Sequence, residues 1–166
     1  MKKFLIAAVL LLSSAFVPGT ATAVQRNIYP EPSLAHEELA TALKNAAASH
    51  KRIIMTFGGN WCGDCQVLDI YMHQPENQAI LEANYILIHI NIGRMDQNLD
   101  IAEKYQIPLD KGVPAVAVLN SDGRLLYSQR NGEFESMRRM QSAAVTDFLH
   151  TWLPSAAPCK TRQVTC

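Results

Sequence analysis

Two cysteines with two residues between them, Cys62 and Cys65, stand at the junction of two contrasting patterns. Before them, residues 52–59 form an apolar and β-branched run that glycines end, which predicts a buried strand. After them, apolar side chains follow helical spacing up to Pro75. A close cysteine pair suits a metal site, a structural disulfide or a redox pair. The three alternatives predict different kinds of protein.

The first 23 residues have the pattern of a secretory signal peptide. Lys2 and Lys3 precede an apolar run over residues 4–12, and small residues end the segment at Ala23. The apolar run is shorter than the roughly 20 residues that a membrane-spanning helix needs. We therefore expect cleavage after Ala23 and a protein of the periplasm or the secreted fraction that is not embedded in a membrane.

Length and charge narrow the class of protein further. Cleavage would leave 143 of the 166 residues, which suits one domain over residues 24–153 and a short tail over residues 154–166. Without Lys2 and Lys3 the chain has 13 basic and 15 acidic residues. This balance gives no reason to expect binding to nucleic acid.

The rest of the sequence alternates helical and strand patterns. We predict helices over residues 33–50, 66–73, 77–84, 98–107 and 135–153, and strands over residues 52–59, 85–92, 114–120 and 124–131. Ser33 is the expected N-cap of the first helix, and Asp122 and Gly123 form the turn of a terminal hairpin. This order predicts an α/β fold, with a central mixed β-sheet flanked by helices on both faces.

Four motifs in this order resemble the thioredoxin superfamily, over about residues 33–153. They are WCGDC after a buried strand, GVPA at residues 112–115, the Asp122-Gly123 turn, and Gly132 before the last helix. The segment after the cysteines is similar to periplasmic thioredoxin-like proteins such as the C-terminal domain of the DsbD reductase. The resemblance implies the thioredoxin fold and thiol–disulfide exchange without a cofactor.

The cysteine pair suits this chemistry for physical reasons. Cys62 is the expected nucleophile, because a helix N-terminus stabilises a thiolate. Cys65, one helical turn later, would attack the mixed disulfide and release the substrate. We expect Trp61 to pack beside the pair and Gly63 to let the backbone turn into the helix.

The resemblance assigns the second half of the site to Val113 and Pro114. It implies a cis bond before Pro114, which would lie against the cysteines and leave the Val113 backbone free to bind an extended substrate strand. The alternative is an ordinary trans proline at the first position of a strand.

Three positions depart from the thioredoxin pattern. Thr56 occupies the place of a commonly buried aspartate, and His89 falls where a lysine is often found. His89 is therefore a candidate for proton transfer, or else a packed or surface histidine. Asp64 replaces a proline between the cysteines. Its charge would disfavour the Cys62 thiolate and favour a reductase, unless the side chain is solvated and only suits the helix N-terminus.

Other candidates carry less weight. Cys159 and Cys166 in the tail suit a local structural disulfide, although a second redox couple or an intermolecular link is an alternative. Arg138 and Arg139 are most simply a solvated helix face. We expect no metal site, because zinc usually needs four ligands and no second cysteine pair of this spacing exists.

The sequence thus predicts an exported thiol–disulfide oxidoreductase that acts on disulfide-containing proteins and leans towards reduction. In an oxidising compartment a reductase would need a membrane electron donor. The alternatives are an oxidase or isomerase of the same fold, and a binding or assembly module without catalysis.

Overall fold

The computed structural model describes residues 26–154. The predicted signal peptide and the pair Cys159 and Cys166 lie outside the described residues. The helices are α1 (Ala35–Ser49), α2 (Gly63–Met72), α3 (Pro75–Asn84), α4 (Leu99–Lys104) and α5 (Ala143–Thr151). The strands are β1 (Arg52–Gly58), β2 (Tyr85–Asn91), β3 (Ala115–Leu119) and β4 (Leu125–Ser128).

The strands form one mixed sheet in the order β2-β1-β3-β4. β1 and β2 run parallel, and the crossover that such a pair requires is made by α2 and α3. β3 is antiparallel to β1, and β4 returns beside β3 through the turn at Gly123, whose φ is 78°. The predicted α/β class, the mixed sheet and the terminal hairpin are confirmed.

β1 is the centre of the molecule because it is covered on both faces. Ile53, Met55 and Phe57 pack into a cluster with α1 and α4, whereas Ile54 packs into a cluster with α2, α3 and α5. A strand with two buried faces reads as a continuous apolar run instead of an alternating one. This explains why the run was visible in the sequence.

The first helix begins later than its capping pattern suggests. Pro32–Leu34 forms a 3-10 turn, α1 begins at Ala35, and no side chain caps it. The prediction that Ser33 is the N-cap is therefore wrong, because the proline-led 3-10 turn occupies the place of the first helical turn.

The predicted helix over residues 135–153 is also wrong in its first half. Met137–Arg139 forms a 3-10 turn and α5 begins only at Ala143. The Met137 side chain is fully buried in the cluster of α2, α3 and α5, and the Arg138 N–H donates to Asp64 instead of to a helical carbonyl. These tertiary contacts outweigh the local helical pattern, and residues 138–139 are not a helix face.

Within residues 26–154, every helix is too short or too polar to cross a membrane.

The buried position of Met137 gives a test of this correction. We expect Met137→Ala to lower the free energy of unfolding by about 2–5 kcal/mol, the usual cost of truncating a large core side chain. Urea denaturation measures the change. The matched control is Met95→Ala, because Met95 is 39% exposed and its loss should cost within about 0.5 kcal/mol. If both substitutions changed the free energy of unfolding by the same small amount, Met137 would not be buried and the predicted solvated helix face would stand.

Candidate active site

The cysteine pair lies where β1 gives way to α2. β1 ends at Gly58, and the chain turns tightly enough for the Cys62 N–H to donate to the Gly59 carbonyl at 2.9 Å. Cys62 is the N-cap of α2 in an extended conformation. The Cys65 N–H donates to the Cys62 sulfur at 3.1 Å, so this sulfur occupies the place of a capping oxygen.

The two sulfurs form a disulfide, with the cysteine Cα atoms 5.2 Å apart. Cys62 is 6% exposed and Cys65 only 1%, so the nucleophile predicted from the sequence is the more accessible of the two. The Val113 carbonyl oxygen lies 3.6 Å from the Cys62 sulfur, and the Val113–Pro114 bond is cis, as the resemblance implied. The fold thus brings together the two halves of the site.

Trp61 and Gly63 flank the nucleophile. The Trp61 ring is 41% exposed, donates its Nε1–H to the Gly93 carbonyl at 2.6 Å and has the Arg94 guanidinium 5.7 Å from its centre. A Cβ at Gly63 would only reach ordinary contact with Arg138, at 3.7 Å. Gly63 is therefore not required on steric grounds for the turn into α2.

Asp64 has a partner, Arg138, that the sequence did not predict. From the sequence, Asp64 is either a charge acting on Cys62 or a solvated side chain. Its carboxylate accepts the Arg138 backbone N–H at 2.9 Å and two guanidinium N–H groups, from Nε at 3.1 Å and from Nη2 at 2.8 Å. The side chain is 13% exposed, so it is not simply solvated. Arg138, expected on a solvated helix face, instead joins residues 137–139 to the active-site helix.

This pairing changes the electrostatic role of Asp64. Partial burial raises the pKa of the carboxyl, but the hydrogen bonds and charge of Arg138 outweigh burial and the net pKa is lowered. Asp64 is therefore ionised, and the cation beside it cancels most of its field at Cys62. The expectation that Asp64 disfavours the thiolate took no account of this cation, so the effect of Asp64 on Cys62 stays a prediction that the pairing weakens.

The N-terminal segment before α1 packs against the disulfide through Tyr29. Tyr29 is 3% exposed and forms a small cluster with both cysteines. Two bonds with Asn60 hold its backbone, from the Tyr29 N–H to Oδ1 at 2.9 Å and from Nδ2 to the Tyr29 carbonyl at 2.8 Å. The loop that positions the cysteines thus also positions Tyr29.

His89 joins a buried polar row instead of packing alone. Thr56 and His89 are partners in the register of β1 and β2, and Thr56 Oγ1 lies 2.7 Å from His89 Nδ1. On its other side, His89 Nε2 is 3.6 Å from Oδ1 of Asp69, which projects from α2 and is 3% exposed. Burial lowers the pKa of His89 to about 4, with Asp69 opposing and His73 adding to the shift.

Asp69 is the largest omission of the sequence interpretation. Its Oδ1 contacts His73 Nδ1 at 3.1 Å, and Arg26 Nη1 lies 3.0 Å from Oδ2 without the alignment of a hydrogen bond. The sequence offered one signal for this role, because Asp69 is an acidic residue seven positions after Cys62 in a helix with an apolar face. Tyr29 had no comparable signal, since its contacts are all distant in sequence.

Comparison with known proteins places this geometry in a family. The sequence model described as Thioredoxin-like matches residues 35–121. The crystal structure of a disulphide isomerase from Xylella fastidiosa Temecula1 shares 32% identity, with a TM-score of 0.73, over 78% of this chain and 98% of that chain. No curated protein sequence matches the chain.

More distant structures agree in fold. The oxidised C-terminal domain of DsbD from Neisseria meningitidis is 18% identical, with a TM-score of 0.52, over 75% of this chain and 97% of that domain. A thioredoxin from Thermus thermophilus is 17% identical, with a TM-score of 0.51, over 77% and 87% of the two chains. With its Cys62–Cys65 redox pair, this chain belongs to the thioredoxin-like family of the thioredoxin superfamily as a thiol–disulfide oxidoreductase.

Proposed function

We propose that this oxidoreductase is exported and reduces disulfide bonds in other proteins. The observation that carries the proposal is the arrangement around Cys62, which combines the N-terminus of α2, a buried resolving cysteine and the half-buried Val113 with its carbonyl oxygen beside the Cys62 sulfur. A protein substrate presenting an extended strand would bind the Val113 backbone and place its disulfide against Cys62.

The reaction transfers two electrons in two exchange steps. The Cys62 thiolate attacks one sulfur of the substrate disulfide, which forms a mixed disulfide and releases the first substrate thiolate. Cys65 then loses its proton and attacks the Cys62 sulfur. This forms the Cys62–Cys65 disulfide and releases the second substrate thiolate, and each released thiolate takes up one proton.

The charge balance at Cys62 supports reduction as the direction. A strongly oxidising protein of this type has a reduced form that is greatly stabilised. Here the thiolate would gain from the helix N-terminus and the Cys65 N–H, while the paired charges of Asp64 and Arg138 contribute little net field. This moderate stabilisation suits a reductant.

The proposed compartment and electron supply follow from the sequence pattern of residues 1–23. A signal peptide would deliver the protein to the periplasm, where thiols become oxidised. A reductase there needs a membrane donor that returns two electrons to the Cys62–Cys65 disulfide after each cycle. The direct check on export is to detect the protein in a periplasmic extract and to determine its N-terminus, which should follow cleavage after Ala23.

Isomerisation is the second candidate, and the 32% identical disulphide isomerase favours it. Both activities begin with attack by a reduced Cys62, but an isomerase must let the substrate resolve the mixed disulfide itself. Refolding of a protein with scrambled disulfides, compared with reduction of insulin, separates them. Faster refolding without net reduction would favour the isomerase.

Substitution of the two cysteines tests the proposed exchange. We expect Cys62→Ser to abolish catalysed reduction of insulin, because no other described thiol can take its place. Cys65→Ala should leave mixed disulfides unresolved, so that substrate proteins remain attached and are identified by mass spectrometry. The matched control, Cys159→Ser with Cys166→Ser, should keep the activity. A protein without catalysis and without trapped partners would instead be a binding module.

Substitution of Asp64 and of Arg138 should shift the reduction potential of the Cys62–Cys65 pair in opposite directions. Asp64→Asn leaves Arg138 unpaired near Cys62, which should stabilise the thiolate and raise the reduction potential by about 15 mV, the effect of one charge about 6 Å away in water-like surroundings. Arg138→Gln leaves Asp64 unpaired and should lower the potential by a similar amount.

Equilibration with glutathione buffers measures these potentials. The double variant should return close to the wild-type potential, because both charges are then absent. Arg139→Gln is the matched control, since Arg139 donates to Ser136 and acts on Asp64 only through its charge, so that its shift should be smaller than that of Arg138→Gln. Shifts of the two single variants in the same direction would contradict the paired-charge account. A wild-type reduction potential of about −120 mV would contradict the proposal that the protein acts as a reductase.

A further inference from the structure

The resolving step poses a problem of proton transfer. Cys65 is 1% exposed, yet its thiol must lose a proton before it can attack the Cys62 sulfur. Water has almost no access to this sulfur, and Thr56 cannot serve as the carboxylate base that thioredoxins commonly place there. Another route for the proton is therefore needed.

The route begins at Tyr29, which a gap at Gly58 brings next to Cys65. A Cβ added to Gly58 would lie 2.5 Å from the Cys65 sulfur and 2.6 Å from the Tyr29 hydroxyl oxygen. The sulfur and the hydroxyl oxygen therefore both border the space that the missing side chain leaves, and Tyr29 and Cys65 pack in one cluster. The Tyr29 hydroxyl in turn donates to Thr56 Oγ1 at 3.5 Å.

The route continues through His89 to the surface. Thr56 Oγ1 is 2.7 Å from His89 Nδ1, and His89 Nε2 faces Asp69 Oδ1 at 3.6 Å. Asp69 Oδ1 is 3.1 Å from Nδ1 of His73, whose side chain is 45% exposed. The Nδ1–H of His73 also donates to the Asp69 carbonyl at 2.8 Å, so His73 helps to hold Asp69 beside His89. The row thus connects a buried sulfur with the imidazole of His89, whose side chain is 18% exposed.

Each member of the row can donate in the same direction. Because Tyr29 donates to Thr56, the Thr56 hydroxyl proton is free to point at His89 Nδ1, and the remaining proton of a neutral His89 lies on Nε2 towards Asp69. We propose that Tyr29, Thr56 and His89 carry the proton between Cys65 and the solvent in the surface groove that His89 lines, with Asp69 as the positioning residue that orients His89.

The proposal rests on the thiol–disulfide exchange proposed above and adds the proton's path. Cys65 gives its proton to the Tyr29 oxygen as Tyr29 passes its own to Thr56, and Thr56 passes its own to His89 Nδ1. His89 then releases the Nε2 proton to the solvent, to which 18% of its side chain is exposed. Two electrons remain on the Cys65 sulfur and form the bond to Cys62. Reversal of the path returns the proton when the disulfide is reduced.

The groups around His89 favour transfer over storage of the proton. The charged and titratable side chains around it are Asp69 from α2, His73 from the C-cap of α2, and Tyr29 from the N-terminal segment. Glu37 and Glu38 from α1 line the same surface groove as His89. Burial lowers the pKa of His89 to about 4, so the ring is neutral near pH 7 and one of its nitrogens carries no proton, which the contact with Thr56 allows to be Nδ1. Burial raises the pKa of Tyr29, which keeps the phenol protonated as a relay requires.

Tyr29→Phe is the decisive variant, because it removes the first relay atom and keeps the ring beside His89. In single turnovers, reduced protein is mixed with an excess of a small disulfide, quenched in acid, and the mixed disulfide on Cys62 is quantified by mass spectrometry. We expect resolution at pH 7 to slow by at least about tenfold. We also expect its rate to rise about tenfold per pH unit between about pH 6 and 8, as solution hydroxide takes over.

Two further variants and one control complete the test. His89→Asn should reproduce the altered pH profile, whereas Asp69→Asn should alter it less, as for a positioning residue. Tyr85→Phe is the matched control, because Tyr85 is equally buried and loses a bond to the Leu149 carbonyl far from Cys65. Its resolution rate and pH profile should match the wild type.

The readouts separate the path from the proposed function. A wild-type pH profile in Tyr29→Phe, in a folded protein that still resolves mixed disulfides, would overturn the path and leave thiol–disulfide exchange intact. A wild-type protein that forms no mixed disulfide would overturn both. Should Asp69→Asn fail to fold, the profiles of Tyr29→Phe and His89→Asn decide the matter, with circular dichroism as the check on folding.

Discussion

Strand β1 pairs with β2 on one side and with β3 on the other, and these three strands hold almost the whole site. The cysteines follow β1, His89 lies on β2, and Val113 and Pro114 precede β3. Burial of β1 on both faces fixes its position in the sheet. The relative positions of the nucleophile, the candidate proton carrier and the proposed substrate strand follow from that one burial.

Two charge arrangements then shape the chemistry from opposite sides of the cysteines. At the surface, Arg138 neutralises Asp64 beside the nucleophile, so the dipeptide between the cysteines does not by itself set the electrostatics. Behind Cys65, Asp69 and His89 form a largely buried polar row with Thr56, next to the cluster of Tyr29 and the two cysteines. Buried groups of this kind persist only where partners compensate their desolvation.

Much of the fold was predictable because local patterns and global burial agree. The apolar run of β1, the hairpin turn at Gly123 and the helix after the cysteines each carry a strong local signal. Prediction failed at Ser33 and at residues 135–142, where the pattern was helical but distant contacts decided the backbone. Met137 packs into the core and Arg138 bonds to Asp64, and the local spacing of apolar residues predicts neither contact.

The sequence by itself determined the redox pair, its place between a strand and a helix, and the positions of Thr56, His89 and Pro114 that the family resemblance marks. Tertiary structure alone decided that Asp64 pairs with Arg138, 74 residues away, and that Tyr29 packs in one cluster with Cys65 beside Gly58. The physical reason is one of range. Spacing along the chain reports on neighbours within one element, whereas charge pairing and burial depend on side chains that only the folded chain brings together.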